Sequence, residues 1–426
     1  MSKPINRRVI LAAAFGNILE FFEFSVYNFF VGYISVLFFP PVDDPNIALL
    51  YAFATFGVSF FMRPLGGILI GAYADRVGRR KAMILTILLM SLGTLMIAIA
   101  PTFATAGYWG TVTLVMARLI QGLAAGGETG ASLSMLVESA PNHRRGFYGS
   151  WALASQGFAT VFGAMWALGF SAVLPGLTDN PDVMSEWGWR MPFVVGVLLS
   201  PIGCWLRLTL TEIPDNVTPS TQPKQGRMAL LIAHREVIVV GIFVTIGSTV
   251  AVYISNFYYA NFAVAYLGFA PITAHFGMLL AGSLTFSCAL LFGHLSDKLG
   301  RVKLILWSRI AMLLLAFPSF WLLVNYPTPL VLFSVIFVMV TFTILGASPA
   351  MFIITELLPK PIRALGFSII YSVGVALFGG FAQFFATQAI ALTGSLTAPA
   401  WYLIGGTLLS LTVMGRLKEP QATLPN

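Results

Sequence analysis

Charged side chains inside long apolar runs are the residues of this sequence that call for chemistry. The first run carries Glu20 and Glu23, the second Arg63, and the fourth Arg118 and Glu128. Glu20, Glu23 and Tyr27 follow i, i+3, i+7 spacing, so a helix places them on one face. Arg118, Gln121 and Glu128 form a second polar stripe. A charge in hydrocarbon costs about 2.5–3.5 kcal/mol even on the lenient insertion scale, so both stripes are expected to face a polar interior. A carboxyl held away from water takes up a proton more readily, and a nearby guanidinium opposes that. Arg118 or Arg63 can also form a bidentate pair with a carboxylate on a solute. A solute that draws the arginine away leaves Glu20, Glu23 or Glu128 a better proton acceptor, so solute and proton favour each other's binding. The competing reading is a static ion-pair network that holds the helices together. Two residues have bland alternatives of their own. Glu128 lies in GGETG, which suits close helix packing, and Arg63 precedes Pro64 and can brace a kink.

The second half of the chain is poorer in buried charge. It offers Tyr253, Asn256, Tyr371 and Gln383 as hydrogen-bonding candidates for a polar solute, with Tyr258, Tyr259 and Asn261 close by. Interhelical ties are the alternative for each of them. Arg309 falls near a predicted helix end and is expected to reach toward the headgroups, with no functional role. Arg190 is expected to tether the outer side, and His275 and His294 fall near helix ends. The sequence holds no phosphate-binding loop, no Cys/His cluster, and no soluble domain to carry a hydrolytic triad. No enzymatic activity, cofactor or metal is therefore expected, and a proton is the expected coupling ion. Cys204 and Cys288 lie inside apolar runs and read as inert thiols.

The elements that must position these residues follow from composition. Hydrophobic residues make up 58% of the chain and charged residues 9%, against about 25% charged in a soluble domain. The apolar residues come in long blocks, which predicts an all-α membrane protein with twelve spans near 10–38, 48–74, 81–100, 110–138, 147–174, 190–210, 236–267, 273–296, 302–324, 329–354, 363–391 and 398–416. Twenty of the twenty-four Lys and Arg residues fall before odd spans or after even ones, while the opposite loops carry Asp43, Asp44, Asp179, Asp182 and Glu186. That one-sided distribution excludes a nucleic-acid-binding surface as the meaning of the +8 net charge. It predicts both termini in the cytoplasm. The first apolar run is too long for a signal peptide and lacks a small-residue cleavage site, so it is expected to be retained as a span.

The chain also repeats itself. GAYADRVGRRK contains Gly71, Asp75, Arg76, Gly78 and Arg79; it returns 222 residues later as GHLSDKLGRVK, with Gly293, Asp297, Gly300 and Arg301. ESAPNHRR, with Glu138 and Arg145, returns after 218 residues as ELLPKPIR, with Glu356 and Arg363. Two echoes at nearly one spacing point to a duplicated six-helix unit. They divide the chain into residues 1–210, a Pro/Thr/Gln-rich cytoplasmic linker at 211–235, and residues 236–426. In each short loop the first glycine is expected to allow close helix approach and the second to take a backbone conformation other residues avoid. The aspartate can face helix N-termini, and the arginine can reach a carboxylate such as Glu138. Such a cluster would latch the cytoplasmic side shut and break when that side opens; an ordinary charged turn is the alternative.

The Gly-x-x-x-Asp-Arg-x-Gly-Arg-Arg loop resembles the signature of the major facilitator superfamily. GNILEFFEFSVYNFF, FMRPLGGILIGAYADRVGRR, RLIQGLAAGGETG, RRGFYGSW and SEWGWRMPF resemble its metabolite–proton symporter family across nearly the whole chain. ITELLPKPIRALGFSIIYS and VALFGGFAQ point, within that family, toward citrate and tricarballylate carriers. The sequence departs from the family where Glu23 replaces the usual Asp and Phe21 a frequent Trp; Glu keeps the carboxyl but moves it outward by one methylene. The resemblance implies two pseudo-symmetric six-helix bundles in a bacterial-type inner membrane, working as a monomer. It further implies uptake of an organic anion, a di- or tricarboxylate such as citrate, with protons. 2-Oxoglutarate, shikimate or a zwitterion such as proline or betaine are the alternatives. Drug efflux fits poorly with an arginine among the buried charges.

Overall fold

A chain surrounded by lipid must satisfy its backbone N–H and C=O groups within each segment, and a helix does so. The structure is a computed structural model and describes residues 7–42, 44–77, 79–126, 140–210, 224–359 and 362–419. Among the described residues all regular structure is helical. The first half contains α1 (Arg7–Phe29), α2 (Pro45–Val77), α3 (Arg79–Ile99), α4 (Tyr108–Gly126), α5 (Trp151–Thr178) and α6 (Met191–Leu210). The second contains α7 (Arg235–Leu267), α8 (Pro271–Leu299), α9 (Arg301–Asn325), α10 (Pro329–Leu357), α11 (Leu365–Thr393) and α12 (Pro399–Thr412). Eight described helices, α2, α3, α5 and α7 to α11, are long and apolar enough to cross a membrane. α1, α4, α6 and α12 pack with them in the positions expected for the remaining spans. Leu177, Leu198, Leu314, Leu330 and Trp401 stand exposed on the outside of the bundle, as residues facing lipid would.

Three departures from the expected spans matter for the site. The first run breaks at Phe29 and resumes as a short helix, Val31–Leu37. α7 and α11 each contain a π-helical turn, Ile254–Tyr258 and Val375–Gly379. Such turns re-aim side chains in mid-helix and are frequent at functional sites. The stretch expected as a linker ends in a helix, Lys224–Ala233.

Packing reproduces the sequence repeat. In the first half α2 packs on α4, α1 on α5 and α6, and α3 on α4 and α6. Six helices later α8 packs on α10, α7 on α11 and α12, and α9 on α10 and α12. The halves meet along α5–α8 and α2–α11. Glycine permits the closest of these approaches. A Cβ on Gly122 of α4 would overlap the Ser59 carbonyl of α2, and one on Gly157 of α5 would overlap the Phe286 amide of α8. Gly293 likewise faces Ser150 and Gly146 across the halves. Its counterpart Gly71 does not: a Cβ there meets nothing within 4 Å. Among the described residues nothing therefore approaches Gly71 closely. Gly300 ends α8 at φ 92°, in the region that favours glycine.

Candidate functional site

The charged residues of α1, α2 and α4 converge within the first half. Glu20 Oε1 lies 3.3 Å from Arg63 Nη2. Glu23 accepts a 3.2 Å hydrogen bond from Gln121 Nε2, whose amide also donates to Thr94 Oγ1 at 2.9 Å. Arg118 Nη1 donates to Gln121 Oε1 at 2.8 Å, and its Nη2 donates to Ser59 Oγ at 3.2 Å. Glu23 and Arg118 are thus joined through one amide. Five side chains, Glu20, Glu23, Arg63, Arg118 and Gln121, are at most 5% exposed. Two glutamates face two arginines, so the cluster is neutral when both carboxyls are ionised and gains one positive charge with each proton taken up.

Aromatic rings fill the space around the cluster. The Phe24 ring lies 4.9 Å from both the Arg63 and Arg118 guanidinium carbons. Tyr27 and Phe56 cover the other sides of Arg118, at 4.5 and 5.1 Å. Tyr27 spends its hydroxyl on the Ala52 carbonyl at 2.9 Å. Cation–π contacts of this kind are worth about 2 kcal/mol or more when desolvated.

Beyond that aromatic wall is a cavity between the halves. Phe21, Phe24, Ser25, Asn28, Phe56, Gln156 and Thr160 bound it on one side. Thr245, Ser248, Thr249, Tyr253, Asn256, Thr285 and Tyr371 bound it on the other. It offers about 80 Å³ to the centres of water-sized spheres, where one water needs roughly 10–15 Å³. Among the described residues its wall holds hydroxyls, amides and rings but no charged side chain. Of the residues expected to bind a solute, Tyr253, Asn256 and Tyr371 line it. Arg63, Arg118, Tyr27 and Gln121 are not part of its wall, although Arg63 interacts with the wall residue Tyr371. Gln383 is also off the wall, donating to Asn28 Oδ1 at 2.5 Å and accepting from Asn261 at 3.0 Å. Glu20 and Glu23 open instead on a second, smaller pocket within the first half, beside Thr86 and Ser200. Glu128 lies outside the described residues.

Sequence reading missed Asn28, Gln156, Ser248 and Thr285. Gln156 has an amide nitrogen without a partner at the cavity wall, and Thr285 donates to Asn256 Oδ1 at 3.0 Å. Gln156 and Thr160 share an i, i+4 face, which is the signal available beforehand. Arg309 was expected at the headgroups, and the structure corrects that expectation. Arg309 is 0% exposed, inside the second half, with Ser410 Oγ 3.0 Å from Nε and with Ser248 Oγ and the Val244 carbonyl at Nη2. Small residues on α7, α10 and α12 leave room for it to turn inward rather than toward the headgroups.

The loop echoes place a second polar group at the end of the bundle where α1 begins and α12 finishes. Arg301 pairs with Glu356 and, at 3.4 Å, with Asp297. Asp297 also accepts the Gly146 and Phe147 amides across the halves, at 2.8 and 3.0 Å. Its carboxylate thereby caps the turn Arg145–Gly149, where a helix start favours negative charge. Arg363 Nε donates to the Leu358 carbonyl, and Arg76 is exposed. The side chains of Asp75 and Arg79, and the residues Gly78 and Glu138, fall outside what is described. At the far end different contacts join the halves. They are Asn28–Gln383, Tyr266 to Asn46 at 2.7 Å, and His275 to the Phe29 carbonyl at 3.2 Å.

A duplicated helical bundle with a polar cavity at its pseudo-symmetric interface defines a membrane carrier. The model of the Major Facilitator Superfamily matches residues 13–382, and the chain belongs to that family. It is a membrane transporter of twelve-span architecture, not an enzyme. A citrate-proton symporter of Klebsiella pneumoniae is 34% identical over 92% of this chain and 88% of its own length. An alpha-ketoglutarate permease of Escherichia coli is 32% identical, covering 94% and 92%. A putative proline/betaine transporter of Staphylococcus aureus is 31% identical, covering 96% and 87%. The crystal structure of a D-xylose-proton symporter superposes with a TM-score of 0.79 at 19% identity, covering 98% and 99% of the two chains.

Proposed function

We propose that the protein imports an organic anion, a di- or tricarboxylate such as citrate or tricarballylate, together with protons by alternating access. The observation that carries this reading is the buried cluster of Glu20–Arg63 and Glu23–Gln121–Arg118, which shares the Phe24 and Phe56 rings with the wall of the central cavity. A carboxylate arriving in the cavity competes for Arg118 and Arg63, and each glutamate it releases takes a proton in compensation. Net charge in the buried site is kept near zero throughout, which couples the two ligands. An inside-negative potential opposes anion uptake by about 2.3 kcal/mol per charge per 100 mV, so the cycle carries more protons than the substrate has negative charges. Tyr253, Asn256 and Tyr371, with Gln156 and Asn28, orient the solute; no cofactor besides the proton takes part.

Residues 1–210 and 236–426 act as the two rocking units, with 211–235 as the link between them. The charge bias of the loops supports an inner membrane with both termini cytoplasmic. The Asp297–Arg301–Glu356 group and its first-half echo then form the cytoplasmic gate of a monomeric carrier.

A second reading has its own support. Among the described residues the cavity wall is uncharged and rich in aromatic rings, a setting that also suits a quaternary ammonium group. Uptake into proteoliposomes under an imposed pH gradient separates the two. Labelled citrate and tricarballylate are expected to accumulate, and proline and betaine are not; concentration of 2-oxoglutarate or shikimate in their place would move the reading to those alternatives. Arg118→Ala is expected to lower citrate uptake by about 30-fold or more, as for a buried charge that loses its partner. Glu23→Gln is expected to equilibrate citrate without concentrating it. Concentrative citrate uptake by both variants at the unmodified rate would sink the scheme.

A further inference from the structure

The two halves hold their positive charge differently. In the first half each arginine has a glutamate within one residue's reach, so the cluster needs no added anion to be neutral. Arg309 has no such partner. Among the described residues no carboxylate pairs with it, its contacts are hydroxyls and a carbonyl, and Nη1 has no hydrogen-bond partner. An isolated buried cation is costly, and residues of this kind inside a membrane mark solute or ion pathways.

Its surroundings face the cavity. Ser248, which accepts from Nη2, belongs to the cavity wall, as does Ala347 beside Gly346. Glycines let the neighbouring helices close around the guanidinium. A Cβ on Gly247 of α7 would overlap Ser410 and lie 3.1 Å from Nε, and one on Gly346 of α10 would overlap Ser308 and only touch Nη1, at 3.6 Å. The Ser248 hydroxyl donates to the Val244 carbonyl at 3.0 Å, the bond that it would exchange for one to a carboxylate in the cavity.

We propose that Arg309 is the second-half counter-charge for a substrate carboxylate, acting through the Ser248 hydroxyl that separates it from the cavity. A carboxylate seated on Ser248 accepts its O–H, and Arg309 polarises that hydroxyl and compensates the charge. With the first-half arginines occupied by their own glutamates, Arg309 supplies the initial attraction, and Arg118 is recruited only as Glu23 takes a proton. The inference rests on the anion reading above and makes Arg309 a positioning residue rather than a direct ligand.

The test uses the full-length protein in proteoliposomes, with citrate as the probe. Arg309→Gln is expected to raise the citrate concentration for half-maximal uptake by about 30-fold or more, while Arg309→Lys stays within about fivefold of the unmodified protein. Ser410→Asp places a fixed carboxylate against Nε. It is expected to raise half-saturation similarly while raising the substrate-free melting temperature, because the guanidinium gains a partner. A merely structural arginine predicts the opposite pattern: a lower melting temperature for Arg309→Gln, and unchanged half-saturation for Ser410→Asp. Unmodified half-saturation in Ser410→Asp overturns the proposal, whether or not Arg309→Gln folds. If the unmodified protein accumulates betaine and none of the carboxylates, the anion reading fails first, and that outcome is distinct from normal citrate uptake with indifferent variants.

Discussion

Phe24 is the ring that both guanidinium groups share with the central cavity. A small side chain there would let cavity water reach the Glu20–Arg63 pair and Gln121 without any substrate present. The protons of Glu20 and Glu23 would then exchange with the cavity independently of the solute. Phe24→Ala is accordingly expected to conduct protons in the absence of substrate, seen as faster collapse of an imposed pH gradient in liposomes carrying an internal pH dye. Phe24→Tyr keeps the wall and is expected to remain tight. A gradient equally stable in Phe24→Ala and the unmodified protein would show that the ring is not the barrier.

At the scale of elements, the contact between α5 and α8 is set by glycine, and two glycines of α5 give opposite expectations. Gly157 faces backbone atoms of α8, which have nowhere to move. Gly169 faces open space toward lipid, with nothing within 4 Å of its Cβ position. Gly157→Leu is expected to cost about 3 kcal/mol or more and to lower the melting temperature in detergent, with uptake reduced in parallel. Gly169→Leu is expected to leave both within error, and an equal loss in the two variants would remove the close contact as an explanation. This contrast also marks how far sequence could be read. Charges such as Glu20, Glu23, Arg63 and Arg118 stood out because they interrupt apolar runs, and their spacing placed them on shared faces. Spacing does not say which layer of a bundle a face meets. Arg118 was therefore legible as buried but not as standing behind Phe24, and Arg309 was placed at the headgroups instead of against α7 and α12. Asn28 and Gln156 are uncharged and resemble the many polar ties of membrane helices, so only assembly of both halves marked them as cavity residues. The twelve-span plan was legible throughout, because it follows from block length and from the loop echoes.

The whole molecule is closed by different chemistry at its two ends. At the end where α1 begins and α12 finishes, carboxylates cap helix starts and pair with a guanidinium group, as Asp297 does with the Gly146 and Phe147 amides and with Arg301. At the far end the cross-half side-chain hydrogen bonds among the described residues are neutral, Asn28–Gln383, Asn46–Tyr266 and Phe29–His275. A neutral hydrogen bond contributes about 1 kcal/mol net and one to a charged group about 1.5–3 kcal/mol. The far closure is therefore the one that small changes should loosen. Removing two of its bonds, in Gln383→Leu with Tyr266→Phe, is expected to shift the balance toward far-side opening by about tenfold or more. The shift can be read from a cysteine placed at Thr249 on the cavity wall, after Cys204 and Cys288 have been replaced. A membrane-impermeant thiol reagent added at the far side is expected to label Thr249→Cys at least severalfold faster in the loosened background than in the parent. With saturating citrate the difference should narrow, because a bound solute joins the two halves across the cavity. Equal labelling rates in both backgrounds would mean that the three neutral contacts do not hold that end shut.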